Sequence, residues 1–390
     1  MSPSNAMDSG ALKPPCDPIR ALLTQGVGTV YPAAGLLCRH GRALVRQDTV
    51  GAALADTCFD LASLTKALCT SVLCLRAVSQ GRLRLDEAAL PGVSVEDLLR
   101  HQSGLPAWLP LFAPDARDAD EAATRPFPMP SAALRRAAFD AARAAPRGPV
   151  GQRAVYSDLG FIVLADLLEQ HLGERLDVQF ARLADALAIE LAFRPLDVAE
   201  SLQRIPVNRC APTHRETPRR EPLRGQAHDD NARAMLGVSG HAGLFGTLCA
   251  VADLAAALLD CYHRLDTKAA TALGIDPAVL ATAWALPQAQ HAPGTTWGLG
   301  WDHPSPHSPD SSSVSSAGSL WPRTGVGHLG FTGCSLWIDP AAHRDQAVVA
   351  VFLSNRVCVP SPAEAAATQA GIKRLRPLLH DAVYRLATTA

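Results

Sequence analysis

The sequence has no apolar run approaching the ~20 residues that a membrane-spanning helix requires. It has no Lys/Arg block either. With 36 basic against 37 acidic residues and a formal net charge of −1, it lacks the electrostatic footprint of a nucleic-acid binder. Residues 1–15 are rich in Ser, Pro and Ala and show no charged-then-apolar layout of a secretory signal. The 10 cysteines include no Cys-x-x-Cys pair and are diluted over 390 residues, so they read as reduced, small apolar filler rather than a disulfide framework. A cytoplasmic location with no membrane or nucleic-acid partner is the expectation. No internal repeat is present, and oligomeric state leaves no mark on the sequence.

What the chain does have is bulk: 48% hydrophobic residues over 390 positions can bury one large core or two smaller ones. Residues 31–38 and 43–46 are apolar segments around Arg39-His40-Gly41-Arg42 and predict a β-hairpin. Near the other end, 334–339 and 347–354 are strand-like and 363–388 is an amphipathic helix. The two ends therefore share one antiparallel sheet with helices against it. Between them, helical periods broken by Pro-rich loops predict a mainly helical domain over 68–234. The sheet domain is then discontinuous, 17–67 and 235–390. Residues 1–16 are expected to be disordered and the Ser-rich 303–318 to be a flexible loop.

Phe59-Asp60-Leu61-Ala62-Ser63-Leu64-Thr65-Lys66 runs into apolar Ala67, Leu68, Val72, Leu75 and Val78, which predicts a helix carrying Ser63 and Lys66 on its first turn. Residues three apart share a helix face, so the Lys66 amine can reach the Ser63 hydroxyl and help remove its proton. A helix start also aims backbone N–H groups at negative charge, which favours an alkoxide. Ser-x-x-Lys alone is common by chance, and a capped surface helix would explain it equally well. Two further segments add weight. Tyr156-Ser157-Asp158 heads the apolar run 159–164, placing a Tyr and a carboxylate at the start of a buried helix. His328-Leu329-Gly330-Phe331-Thr332-Gly333 leads directly into the strand-like 334–339.

Ser-x-x-Lys, then Tyr-x-Asp, then His-x-Gly resembles the serine β-lactamase and penicillin-binding-protein superfamily. Within it, the chain is similar to the class C-like branch of family VIII-type esterases and D-stereospecific peptidases. Gly81-Arg82-Leu83-Arg84-Leu85-Asp86, Leu98-Leu99-Arg100-His101-Gln102-Ser103-Gly104-Leu105-Pro106, Gly240-His241-Ala242-Gly243-Leu244-Phe245 and Trp297-Gly298-Leu299-Gly300-Trp301 also read like stretches of that branch. The resemblance implies an α/β (α+β) fold of the β-lactamase/DD-peptidase type, an antiparallel sheet flanked by helices plus a helical domain, with the active site in the cleft between. It implies a cofactor-independent serine hydrolase with an acyl-Ser63 intermediate, catalytic Ser63, Lys66, Tyr156 and His328, and an oxyanion hole from the Ser63 and Phe331 backbone N–H groups. Asp158, Gln102, Ser103 and Gly330 are implied substrate contacts, with no metal and no cofactor.

Two positions depart from the family pattern. Asp158 stands where Asn is usual, and an ionised Asp only accepts hydrogen bonds and raises the pKa of a neighbouring Lys. The base is Lys66 or Tyr156, and Asp158 tilts the reading towards Tyr156. His328 stands where Lys is usual and is mostly neutral at pH 7; it is expected to hydrogen-bond the Tyr156 hydroxyl. Both departures favour a small ester over an amide or lactam. The alternatives are a β-lactamase or D-Ala-D-Ala carboxypeptidase/D-aminopeptidase, for which a fixed cation such as Arg323 or Arg356 in the cleft would speak, and an inactive penicillin-binding-like module. His228-Asp229-Asp230 with His241 lacks the compact spacing of a zinc site. Gly237-Val238-Ser239-Gly240-His241 nearly matches a nucleophile elbow but has no strand before it, and is expected to form a loop over the cleft.

Overall fold

The computed structural model describes residues 17–113, 116, 121, 122, 125, 127–214, 222–306, 314–359 and 361–389. The expected disordered start, 1–16, and the middle of the 303–318 loop lie outside these residues. Along the chain come α1 (Pro18–Gly26), β1 (Ala33–His40), β2 (Ala43–Gly51), β3 (Phe59–Asp60), α2 (Val72–Ser79), α3 (Asp158–Leu172), β4 (Leu191–Phe193), β5 (Leu244–Gly246), α4 (Leu248–Tyr262), β6 (Val326–Leu329), β7 (Ser335–Asp339), β8 (Val348–Ser354) and α5 (Pro362–Thr389), with further helices and short strands between. Among the described residues no helix is long and apolar enough to cross a membrane.

The two ends of the chain build one five-stranded antiparallel sheet, ordered β6-β7-β8-β1-β2. Alternation along each strand gives the sheet two apolar faces. Leu37, Val351 and Leu336 stand opposite one another in register and face one layer, while Leu36 and Phe352 pair and face the other. Helix α4 covers the first face; α1 and α5 cover the second. The β-hairpin, the C-terminal strands and the long last helix are therefore where the apolar pattern predicts them.

The first-face core continues without interruption into the helical region, through α2 and α3 to Phe180 and Leu183. Helix α3 is apolar all round, with every residue from Leu159 to Leu168 buried, which makes it the central rod of that region. Ser157 caps it by accepting from the Gly160 N–H, and Gly173 ends it in the left-handed conformation. A small sheet ordered β3-β5-β4 lays the segment just before Ser63 beside the segment just after His241. That pairing is what brings residues far apart in sequence to one site.

Helix α4 is pinned to the sheet by charge as well as packing. Buried Asp260 accepts from Arg344 Nε at 2.8 Å, Arg42 Nη2 at 3.0 Å and Thr267 Oγ1 at 3.1 Å. Asp260→Ala would strand the buried Arg344 guanidinium, and breaking a buried pair from one side costs about 3 kcal/mol. Urea denaturation should show the midpoint falling accordingly with an unchanged m-value.

Candidate active site

The site begins with a strained turn. Asp60, on β3, accepts from the Ala62 N–H through Oδ1 at 2.9 Å and from the His228 N–H through Oδ2 at 2.7 Å. This holds Ala62 at φ 46°, a left-handed conformation that a residue with a Cβ adopts at a cost of about 1 kcal/mol. The chain then enters its helix immediately after Ser63, and residues Lys66–Ser71 form a π-helical turn. Such turns are frequent at functional sites. Lys66 Nζ lies 2.9 Å from Ser63 Oγ, the contact that the Ser-x-x-Lys spacing predicts.

Lys66 is fully buried, and a buried ammonium requires partners. Besides Ser63 it has the Asp158 carboxylate at 2.6 Å, the His241 carbonyl at 3.2 Å and the Tyr156 ring, with its centroid 4.7 Å away. Burial works against its charge, but Asp158 and Tyr156 outweigh burial and hold Lys66 above the ordinary lysine value. Because Ser157 provides the helix cap, Asp158 is free to face Lys66.

Tyr156 is held by a ring of aromatics. His101, Trp297 and His328 stand 4.7, 5.5 and 5.9 Å from its ring centroid, and the Lys66 ammonium sits 4.7 Å above the ring. Its hydroxyl is close enough to Lys66 and Ser63 for both to act on its titration, while 36% of the residue surface stays exposed. Burial of the hydroxyl raises its pKa despite the opposing pull of Lys66, so the resting group is a phenol.

His328 departs from expectation. Nδ1 donates to the Leu329 carbonyl at 2.8 Å and Nε2 has no hydrogen-bond partner among the described residues, so the expected bond to the Tyr156 hydroxyl is not made. Its ring packs against Tyr156 and Trp297 instead. Burial, then the nearby Lys66, pushes its pKa down to about 3, which leaves the imidazole neutral.

The two backbone donors expected for an oxyanion hole are fastened together. Thr332 Oγ1 donates to the Asp60 carbonyl at 2.7 Å, tying the turn that carries Phe331 to the segment that carries Ser63. Gly330 lies so close to that segment that a Cβ there would stand 2.6 Å from the Leu61 oxygen. Among the described residues no acceptor engages the Ser63 or Phe331 N–H.

Ser63, Tyr156, Asp158, His328, Gly330 and Phe331 line one cavity of about 940 Å³. Gln102 and Ser103, expected to line it, do not: Gln102 Nε2 donates to Asp97 at 3.1 Å, and Ser103 Oγ accepts from the Leu105 N–H at 3.3 Å. The His101 and Gln102 carbonyls accept from Val155 and Gly151, so this loop acts as a brace for the Tyr156 segment. The expected loop at 237–241 does not cover the cleft. It is buried, with Thr70 Oγ1 bonded to the Gly240 carbonyl at 2.7 Å and Ser239 Oγ 2.8 Å from His241 Nδ1. Arg323 bonds the Pro304 carbonyl and is not among the cavity residues, whereas Arg356 is, its guanidinium 4.4 Å over the Phe331 ring.

Asp158, Asp229 and His241 bring carboxylate and imidazole atoms within 4.8 Å of one another, the donor types of a metal centre. Lys66 already engages Asp158, and Asp229 Oδ1 already accepts from His241 Nε2 and the Ala232 N–H, so a dication there would face a fixed cation and occupied ligands. His101 and Trp297 were legible only as parts of family-like segments, and nothing in their residue types announced contact with Tyr156.

The family model described as "Beta-lactamase" matches residues 19–372. An N-acetylmuramyl-L-alanine amidase of Bacillus subtilis (strain 168) is 30% identical over 320 residues, covering 73% of this chain and 66% of the relative. A putative D-alanyl-D-alanine carboxypeptidase of Escherichia coli (strain K12) is 26% identical over 375 residues, covering 86% and 80%. Two solved structures share the fold. One is simvastatin synthase LovD from Aspergillus terreus in its LovD6 mutant form (TM-score 0.65, 16% identity, 98% of this chain and 100% of that one). The other is EstCE1, a hydrolase with promiscuous acyltransferase activity (0.61, 18%, 92% and 97%). With a family match across most of its length and the β-lactamase/penicillin-binding-protein-like fold, the chain belongs to the β-lactamase family and is one of its serine hydrolases.

Proposed function

We propose that the protein hydrolyses small carboxylic esters through an acyl-Ser63 intermediate. The observation that carries this reading is the contact network at the cavity wall: Lys66 Nζ stands 2.9 Å from Ser63 Oγ and 4.7 Å from the centroid of the Tyr156 ring, and Ser63 and Tyr156 line the same cavity. The Tyr156 phenol first loses its proton to solvent, the phenolate being stabilised by the Lys66 ammonium, and this phenolate takes the Ser63 proton as Ser63 Oγ attacks the ester carbonyl carbon. The Ser63 and Phe331 N–H groups receive the developing oxyanion. As the tetrahedral species collapses, the C–O bond to the leaving group breaks and Tyr156 returns the proton to the departing alkoxide. Water repeats the sequence on the acyl-enzyme. Asp158 serves by keeping Lys66 charged, and the neutral His328 adds packing on Tyr156 but no cation. A site built this way has no amide donor at 158 and no fixed ammonium at 328, which is why esters are preferred.

One observation favours a second reading, cleavage of an amide or lactam that carries a free carboxylate. The same cavity is lined towards α5 by Arg356, Lys373 and Arg376. Buried Arg376 bonds the Cys334 carbonyl at 3.1 Å, its Nε has no partner among the described residues, and burial lowers its pKa to about 10. A guanidinium in that state favours an incoming anion.

Incubation with a fluorophosphonate should add one adduct mass to the wild type and none to Ser63→Ala, and Ser63→Ala should lose at least about 10³-fold in p-nitrophenyl butyrate turnover. Unmodified wild type without ester turnover would sink the acyl-enzyme reading. The two substrate readings separate on a ratio, kcat/KM for mono-p-nitrophenyl glutarate over that for p-nitrophenyl butyrate. If a carboxylate is recognised, Arg376→Gln lowers this ratio about tenfold, the worth of one charge-assisted hydrogen bond. An unmoved ratio removes that reading.

A further inference from the structure

Asp229 and His241 have no part in the chemistry just described, yet His241 touches the Lys66 ammonium through its carbonyl and Asp229 lies within its electrostatic reach. The His241 carbonyl accepts from Lys66 Nζ at 3.2 Å. Its ring is gripped at both nitrogens, Nε2 2.8 Å from Asp229 Oδ1 and Nδ1 2.8 Å from Ser239 Oγ. Since a carboxylate oxygen only accepts, Nε2 carries the proton. The segment is laced to the Ser63 helix from both sides, by Thr70 Oγ1 to the Gly240 carbonyl at 2.7 Å and by the Leu244 N–H to Thr65 Oγ1 at 3.1 Å. Carboxylate oxygens of Asp158 and Asp229 lie within 4.8 Å of each other, a repulsive approach unless a cation stands against both. Asp229 is nevertheless held well below the ordinary carboxylate range: burial works against its charge, and His241 first and Lys66 last among its partners outweigh burial.

We infer that the Asp229–His241 pair is a positioning unit for Lys66, supplying the second negative charge and the carbonyl contact that hold the ammonium against Ser63 and Tyr156. This rests on the acyl-Ser63 reading and deepens it. The ammonium then acts as a fixed positive charge that stabilises the phenolate form of Tyr156, and that phenolate takes the proton from Ser63. The charged and titratable groups facing Lys66 are Asp158 at the head of α3, Tyr156 just before it, Asp229 and His241 from the segment between β4 and β5, and the imidazoles of His101 and His328, whose pKa values burial and then Lys66 push down.

The test is the pH dependence of fluorophosphonate labelling in wild type, Asp229→Asn and Asp229→Glu. Asn keeps the shape and the capping bond to the Ala232 N–H, so the fold is retained. Removing a negative charge makes protons on both Lys66 and Tyr156 easier to lose. Asp229→Asn should therefore move the labelling profile to lower pH by about one unit, and Asp229→Glu should return it towards wild type. A slower Asp229→Asn protein with an unmoved profile overturns the inference and leaves Asp229 a helix cap. Failure of wild-type Ser63 to label at any pH is a different result, the loss of the acyl-Ser63 reading itself.

Discussion

Everything at this site depends on one buried ammonium. Lys66 has no exposed surface, and desolvating an ion is so costly that the surrounding chain must answer it with charge and hydrogen bonds. The answers come from four places in the sequence: Ser63 on the same turn, Asp158 at the head of α3, Tyr156 just before it and the His241 carbonyl ahead of β5. A single long side chain thereby fixes the relative position of the sheet segment, the helical region and the buried 237–243 segment. Removing any one partner would leave the others facing an under-compensated charge.

The second constraint is backbone. Asp60 keeps Ala62 left-handed, and the Thr332 hydroxyl bonds the Asp60 carbonyl, so the strain before Ser63 and the turn after β6 are parts of one arrangement. The close approach of Gly330 to the Leu61 oxygen leaves no room for a side chain between them. The two backbone N–H groups proposed for the oxyanion are thus held by rigid elements rather than by mobile loops.

Electrostatically the cavity is divided. Around Lys66 the charges are matched, with Asp158 engaged directly and Asp229 hydrogen-bonded to His241, and the imidazoles of His101 and His328 stay uncharged because burial beside a cation penalises a second positive charge. Towards α5 the matching stops: among the described residues, Arg376 bonds a carbonyl and no carboxylate. On the proposed function, neutral esters would occupy the first part of the cavity, and an anionic group would be drawn to the second.

Much of this was legible in the amino-acid order, because local rules decide it. Alternating apolar residues placed β1, β2, β7 and β8, an all-apolar run placed α3, and a three-residue spacing placed Lys66 on Ser63, each a matter of short-range geometry. The Asp158 substitution also announced its effect on Lys66 through charge alone. Tertiary structure decided what depends on approach between distant segments. His328 Nδ1 bonds its neighbour's carbonyl and not Tyr156, Gln102 and Ser103 turn inward to brace the Tyr156 segment, and His101 and Trp297 close on that ring. Asp229 and His241 look from sequence like stray metal ligands. Only the β3-β5 pairing brings them against Lys66, because residues some 170 positions apart become neighbours through strand register, which no local pattern encodes.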